Sequence, residues 1–313
     1  MRIEYGLPAT ATGRPVALSV GNFDGVHLGH RALLEPLLAA AREIDGEAVV
    51  LTFDPHPRCV LTPEHCPSSL TTLEEKRDLL AVAGVDRLVV LEFTTQLSRW
   101  TADEFCSRLE AAFTLSRLVV GHDFALGRDR SGDTAFLTAR AARRGWILQT
   151  VDAVRVEDRP VSSSRIRGAL VTGDLIEANR LLGHPYFIDG RIEHGERVGT
   201  TLGYPTANIS IAANKCLPAR GIYAMWLRVD DAWQPAATSV GYRPTFGGDH
   251  LTVEAYLLDF SGDLYGRRVR GAFEARLREE RTYPDGAALR EQIRRDVEQT
   301  GLLLSASKPP SGI

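Results

Sequence analysis

The sequence predicts two domains of different class: an α/β, Rossmann-like, doubly wound domain, then a small antiparallel β-barrel closed by a terminal helix. Three observations predict this. Residues 16–151 alternate short apolar segments with runs of helical spacing. From about Tyr186, short apolar segments alternate instead with clusters of Gly, Pro, Asn and Asp. The chain has 313 residues, which is two domains at about 150 residues each. With 44% hydrophobic and 25% charged residues, each half can bury its own core.

Val16–Val20 is a short apolar strand, followed by a glycine-rich turn and an amphipathic run from Leu28 to Ile44. Ala48–Thr52 is the next strand, and Leu73–Ala83 has helical spacing with Gly84 as its stop. Leu88–Leu91 is a strand, Ala102–Phe113 a helix and Leu118–Val120 a strand. Ala135–Arg144 is a helix ended by Gly145, and Ile147–Val151 is another strand. Strands separated by helices of this length imply right-handed crossovers and a parallel sheet. Two short helices follow, Ser164–Val171 and Asp174–Leu182, with Asp174 as N-cap and Gly183 as stop.

The later strands are Phe187–Ile192, Ile222–Val229, Gln234–Val240, Thr252–Leu258 and Val269–Leu277, the pattern of a small closed barrel. Leu289, Ile293 and Val297 stack at i, i+4, i+8 on a helix over Ala287–Glu298. The expected domains are 1–184 and 185–304, with 305–313 a disordered polar tail.

The formal net charge of −3 gives no electrostatic case for a nucleic-acid partner. Local clusters of basic residues suit small anionic ligands better. The four cysteines, Cys59, Cys66, Cys106 and Cys216, contain no C-x-x-C pair and are expected to be free thiols in a reducing compartment. The N-terminus lacks the apolar core of a signal peptide, and no stretch reaches the roughly 18 apolar residues of a membrane helix. The expected location is cytoplasmic, without a membrane partner.

G-N-F-D-G-V-H-L-G-H, Gly21 to His30, leaves a buried strand and opens a helix. At the C-terminal edge of a parallel sheet such a turn is where ligands bind. Glycines at 21, 25 and 29 let backbone approach a ligand, and backbone N–H groups at the helix start favour an anion. His27 and His30, three residues apart, share one helical face there. A capping histidine and a packing histidine are the plainer alternative, but two imidazoles on this turn favour a phosphate site. Zinc on this pair lacks an evident third ligand. A zinc site from His56, Cys59, His65 and Cys66 has a spacing that fits no standard finger.

H-L-G-H matches the H-x-G-H signature of the nucleotidyltransferases, and the longer segment resembles that of bacterial bifunctional riboflavin kinase/FAD synthetases. T-F-D-P-H-P at 52–57, G-H-D-F-A-L-G at 121–127 and S-S-S-R-I-R at 162–167 fit the same family. So do G-T-T-L-G-Y-P-T-A-N at 199–208, S-V-G-Y-R-P-T-F-G at 239–247, V-E-A-Y-L-L-D-F at 253–260 and L-R-E-E at 277–280. The motif order is preserved from about Val16 to Glu298.

The resemblance implies ATP-dependent phosphorylation of riboflavin to FMN in the C-terminal half. It implies adenylylation of FMN to FAD, with release of pyrophosphate, in the N-terminal half. It implies that His27 and His30 hold the triphosphate, with Ser163, Ser164 and Arg167 closing over its β- and γ-phosphates. Asp123 would orient nucleotide or FMN, and Gly21, Asn22, Phe23 and Asp24 would line the ATP or flavin. In the second half, Thr206 and Asn208 would coordinate Mg²⁺ beside the ATP phosphates, with Gly203 in the same nucleotide loop. Glu254 would act as general base on the ribityl 5′-hydroxyl from inside the barrel, where an idle carboxylate is costly. Arg278 would contact ligand from the following loop. Two departures stand out: Ser164 where the family commonly has Thr, and Thr200 where many members carry a basic residue. The readings set against this one are adenylylation of another phosphorylated acceptor, such as a pantetheine-type phosphate, and a non-catalytic flavin-binding regulator.

Overall fold

The structure, a computed structural model, describes residues 1–11, 13–194, 203–245 and 248–313. Contacts divide the chain into two compact units. One comprises Met1–Ser68 and Lys76–Ser162, the other Ser69–Glu75 and Ser163–Ile313.

The first unit is built on β1 (Arg2–Tyr5), β2 (Pro15–Val20), β3 (Glu47–Asp54), β4 (Arg87–Glu92), β5 (Thr114–Gly121) and β6 (Ile147–Val151), in the order β1-β4-β3-β2-β5-β6. Every pairing is parallel. β2, β3 and β4 are buried along nearly their whole lengths, as continuous apolar runs in a sheet covered on both faces must be. Helix α1 (Leu28–Glu43) packs on β2, β3 and β5. On the other face, α5 (Ala102–Ala112) and α6 (Thr134–Arg144) supply Phe105, Leu109, Leu137 and Ala141 to a core shared with Leu18, Leu51 and Val120. Short helices α2 (Pro57–Leu61) and α4 (Thr95–Ser98) and the longer α3 (Leu73–Val82) fill the remaining connections. Local chemistry sets the ends. Thr101 and Glu104 form a reciprocal capping box at α5, and Gly145, at φ +79°, closes α6 in the left-handed conformation. A two-residue hairpin, β7 (Arg155–Val156) and β8 (Arg159–Pro160), completes the unit.

Strands β2 to β6 and helices α1, α3, α5 and α6 are those the sequence predicts, to within a few residues at each end; the short helices α2 and α4 and the hairpin are not. Strand β1 is a finding: R-I-E-Y is too short and too polar to stand out as a strand. The free-thiol expectation needs correction as well. Cys106 and Cys216 are buried thiols outside any disulfide, but Cys59 and Cys66 are joined in a disulfide. The fold of 57–65, a helical turn followed by a short 3-10 turn, brings together two cysteines that linear spacing leaves unrelated.

The second unit opens with α7 (Ser163–Thr172) and α8 (Leu175–Leu182). Asp174 caps α8 by accepting from the Glu177 amide at 3.0 Å. Asn179 ties α8 to the barrel: its amide donates to the Phe273 carbonyl at 3.1 Å and accepts from the Tyr186 amide at 2.7 Å. The barrel strands are β9 (Tyr186–Glu193), β10 (Ala207–Ser210), β11 (Gly221–Val229), β12 (Ala232–Thr245), β13 (Gly248–Leu257) and β14 (Arg268–Arg278). They close antiparallel in the order β10-β13-β12-β11-β14-β9. Ile192, Ile209, Val253 and Val240 stand in register across four strands and are all buried, marking the barrel interior. Helix α9 (Gly286–Ser305) packs against β11, β12 and β14. It runs past the expected Glu298, and the tail expected to be disordered ends on a buried Ile313.

Within this unit, Glu75 and Lys215 form a fully buried ion pair. The carboxylate also accepts from the Asp189 and Thr72 amides at 2.7 Å each, and the ammonium donates to the Leu70 carbonyl at 2.7 Å. Removing one partner strands a buried charge, which costs about 3–5 kcal/mol. Lys215→Met is therefore expected to lower the urea-unfolding free energy by about 3 kcal/mol. The double variant Glu75→Gln/Lys215→Met is expected to recover a large part of that loss.

Candidate active sites

The strand order reverses between β2 and β5. Chain connections from β2 run outward through β3 and β4 on one side, and from β5 through β6 on the other. The crevice above the C-terminal ends of two such strands is where open α/β sheets bind ligands. The turn Gly21–His27 leaves β2 there, and the segment Gly121–Gly127 leaves β5. Gly127, at φ +74°, has no room for a side chain, because a Cβ would sit 2.5 Å from the Ala102 amide nitrogen.

The first turn is tightly built. Gly21 still donates to the Leu51 carbonyl at 3.0 Å, keeping the exit of β2 on the sheet. Phe23 (φ +46°) and Val26 (φ +41°) adopt left-handed backbone that costs non-glycine residues energy, and both are buried. Asp24 is buried with them. His27 is the N-cap of α1, its Nδ1 accepting from the His30 amide at 3.4 Å. The His27 and His30 rings stack with centroids 3.7 Å apart, and the Phe23 ring lies 5.0 Å from His30. Gly29 makes the stacking possible, since a Cβ there would press to 3.1 Å from His27 Cε1 and 3.6 Å from the Val161 carbonyl.

His30 Nδ1 is buried with no hydrogen-bond partner among the described residues. Burial, reinforced by His27 and by the Lys76 charge, holds the His30 imidazole well below its ordinary range. It is a neutral ring at pH 7, able to donate a hydrogen bond to a phosphate without carrying a buried charge of its own.

Three neighbours not foreseen as site residues support the turn. Thr52 Oγ1, on β3, donates to the Asn22 carbonyl at 3.0 Å. His56 caps α2 through Nδ1, which accepts from the Arg58 amide at 3.1 Å, and its Nε2 lies 3.2 Å from the Asn22 side-chain amide. Lys76 Nζ, on α3, donates to Thr52 Oγ1 at 3.2 Å. Thr52 and His56 lie in the motif T-F-D-P-H-P, so a signal existed. Lys76 announces itself only as a lysine on the same helical stripe as Leu73 and Leu80.

Asp123 is exposed in the loop after β5, its carbonyl accepting from Arg130 Nη2 at 2.7 Å. Ser163, Ser164 and Arg167 lie in the first turns of α7, in the second unit.

In the barrel, β10 pairs with β13 so that Asn208 stands directly opposite Glu254. Thr206 Oγ1 donates to Glu254 Oε2 at 3.3 Å. On β12 the residue facing Glu254 is Ser239, and on β9 the residue facing Asn208 is Glu193. Neither was foreseen as a site residue, although Ser239 opens one of the motifs. The expected interior position of Glu254 is corrected here. Val253, Ala255 and Leu257 are buried in the barrel, while Glu254 and Tyr256, between them, are partly exposed on the outer wall. Period-two alternation shows which residues share a face, but not which face is the core.

Gly203, at φ +85°, forms the turn before this strand, and the Tyr204 ring meets Tyr256 edge-on at 5.2 Å. Thr200 lies outside the described residues. Arg278, at the end of β14, binds the buried Asp296 of α9 through Nε and Nη2 at 2.9 and 2.6 Å. Among the described residues no three of His, Cys, Asp and Glu converge as a metal cage. The oxygens of Thr206 and Asn208 instead suit a hard cation that keeps waters and substrate phosphates in its shell.

Comparison with known proteins gives a consistent result. The FAD synthetase family model matches residues 9–165 and the riboflavin kinase family model matches residues 182–304. A bifunctional riboflavin kinase/FMN adenylyltransferase of Pseudomonas fluorescens is 38% identical over 94% of each chain. Its counterpart in Escherichia coli strain K12 is 34% identical over 93% of this chain and 94% of that one. A crystal structure of a Streptococcus pneumoniae protein called a macrolide-efflux protein superposes with a TM-score of 0.86 at 29% identity, covering 96% of this chain and 99% of that one. Two family models in sequence, and relatives alike along nearly the whole length, show that the chain belongs to the bifunctional riboflavin kinase/FMN adenylyltransferase family.

Proposed function

We propose that the turn Gly21–His30 carries FMN adenylylation and that the outer barrel wall around Glu254 carries riboflavin phosphorylation, so that one chain converts riboflavin to FMN and FMN to FAD. The functional domains are then 1–184 and 185–304, with 305–313 a tail. The observation that carries the kinase half is the convergence of Asn208 on β10, Thr206 just before that strand and Glu254 on β13 at one point of the wall.

In the first site an FMN phosphate oxygen attacks the α-phosphorus of ATP, the bond to the β-phosphate bridging oxygen breaks, and pyrophosphate leaves. The phosphate is already an anion at pH 7, so no strong base is needed. The protein's work is alignment and charge stabilisation. His27 and the neutral ring of His30 donate to the triphosphate, and the backbone of Gly21–Asp24 lines the nucleotide. Asp123 orients nucleotide or FMN.

In the second site the attacking group is an alcohol, a poor nucleophile. Glu254 takes the proton from the ribityl 5′-hydroxyl as its oxygen bonds to the γ-phosphorus and ADP leaves. Thr206 and Asn208 would hold Mg²⁺, which would supply positive charge to the ATP phosphates. Gly203 shapes the nucleotide loop, and Arg278, held by Asp296, fixes the loop after β14 beside the ligand. The enzyme acts in the cytoplasm, on small molecules alone. No helix among the described residues is long and apolar enough to cross a membrane.

Pure protein given riboflavin, ATP and Mg²⁺ is expected to yield FMN and then FAD; absence of both products overturns the reading. His30→Ala is expected to slow FMN adenylylation by about 100- to 1000-fold. Glu254→Ala should abolish riboflavin phosphorylation while added FMN is still converted to FAD. The His30 shift also sets a pH dependence. The unfolded chain takes up a proton near the ordinary histidine range that the folded ring refuses, so stability from this group falls as pH drops below about 6.5. Urea unfolding between pH 7.5 and 5.5 should therefore show a shallower decline for His30→Asn than for the wild type.

A further inference from the structure

We propose that Lys76 is a positioning residue for adenylyl transfer, holding the turn after β2 through the hydrogen-bonded chain Lys76 Nζ to Thr52 Oγ1 to the Asn22 carbonyl. The proposal rests on the reading that this turn is the adenylylation site. The two links measure 3.2 and 3.0 Å, Thr52 is 0% exposed and Lys76 8%.

The direction of the chain is fixed by its chemistry. A threonine hydroxyl has one proton, here given to Asn22, so towards Lys76 the oxygen can only accept. An ammonium has three protons and no acceptor, so lysine is suited to the head of such a chain. A charged donor polarises the hydroxyl and strengthens its bond to Asn22. Asn22 lies between Gly21, still paired to β3, and Phe23, held at a positive φ. Its carbonyl is thus one of the points on which the shape of the turn depends.

A lysine in this place is costly. Burial pushes its pKa below the ordinary range, opposed by the nearby carboxylates of Asp24 in the turn and Asp54 at the end of β3. A helix that needed only to pack would put leucine or methionine on this stripe. The groups the lysine addresses, Thr52, Asp24 and Asp54, belong to the turn or to the strand beside it. Its charge is also felt by His30, so it adds positive potential beneath the place where phosphates are to bind.

The test uses the full-length protein with Lys76→Met, Thr52→Val, their double variant and Thr52→Ser, reading kcat and KM for FMN adenylylation. Riboflavin phosphorylation in the same preparation serves as the control for folding. Each single variant is expected to lower kcat by about 10- to 100-fold, with KM for ATP changed far less, because a misplaced site loses alignment more than binding. The double variant is expected to be no slower than the slower single one, since both break one chain. Thr52→Ser, which keeps the hydroxyl, should recover most of the rate. Wild-type kcat in Lys76→Met, or losses that multiply in the double variant, would overturn the proposal. Should Lys76→Met fail to fold, the contrast of Thr52→Val with Thr52→Ser decides: equal rates sink it. If His30→Ala alone retains full FAD synthesis, it is the site assignment that has failed, not the link to Lys76.

Discussion

The pairing of β2 with β3 on one side and β5 on the other is the constraint from which the first site follows. Right-handed crossovers send α1 to one face of the sheet and α5 and α6 to the other. The seam between β2 and β5 is where the two windings part, so the connections that leave these two strands depart to opposite faces and open a crevice above their ends. What stands there is the backbone turn of Gly21–His27, the start of α1 and two stacked imidazoles. The family's first chemistry needs little else, because the nucleophile arrives already ionised.

The second site obeys a different geometry. An antiparallel barrel commits alternate residues to its interior, so Val253, Ala255 and Leu257 fill the core and Glu254 must face outward. There the carboxylate keeps contact with solvent and avoids the desolvation cost that an interior position would impose. The strand register then brings Asn208 and Ser239 to either side of it, and the turn at Gly203 delivers Thr206. A carboxylate is thus placed beside hydroxyl and amide oxygens of the kind that suit a hard cation.

Much of this was legible in the sequence, for identifiable reasons. Long apolar runs bounded by glycine made the parallel strands and their helices plain, and Asp174 and Gly183 marked α8 at both ends. His27, His30, Thr206, Asn208 and Glu254 could be proposed as site residues because their motifs are contiguous. The missed features are those that depend on tertiary placement. Strand β1 survives as an edge strand because β4 accepts it, not because R-I-E-Y prefers to be extended. The Cys59–Cys66 bond depends on how 57–65 coils. Thr52, His56 and Lys76 come from three elements and meet only beneath the turn, and nothing along the chain signals that Lys76 is buried. Alternation placed Glu254 and Tyr256 together but could not say which side of the wall was wet.

The left-handed backbone at Phe23 and Val26 has a consequence for the protein's history. A valine forced to φ +41° stores energy that a glycine would release, so the chain tolerates a locally unfavourable segment at the exit of β2. Selection for heat resistance and selection for turnover would pull this turn in opposite directions. A lineage adapting to higher temperature is more apt to gain its stability in the helices and the barrel than to relax these two residues.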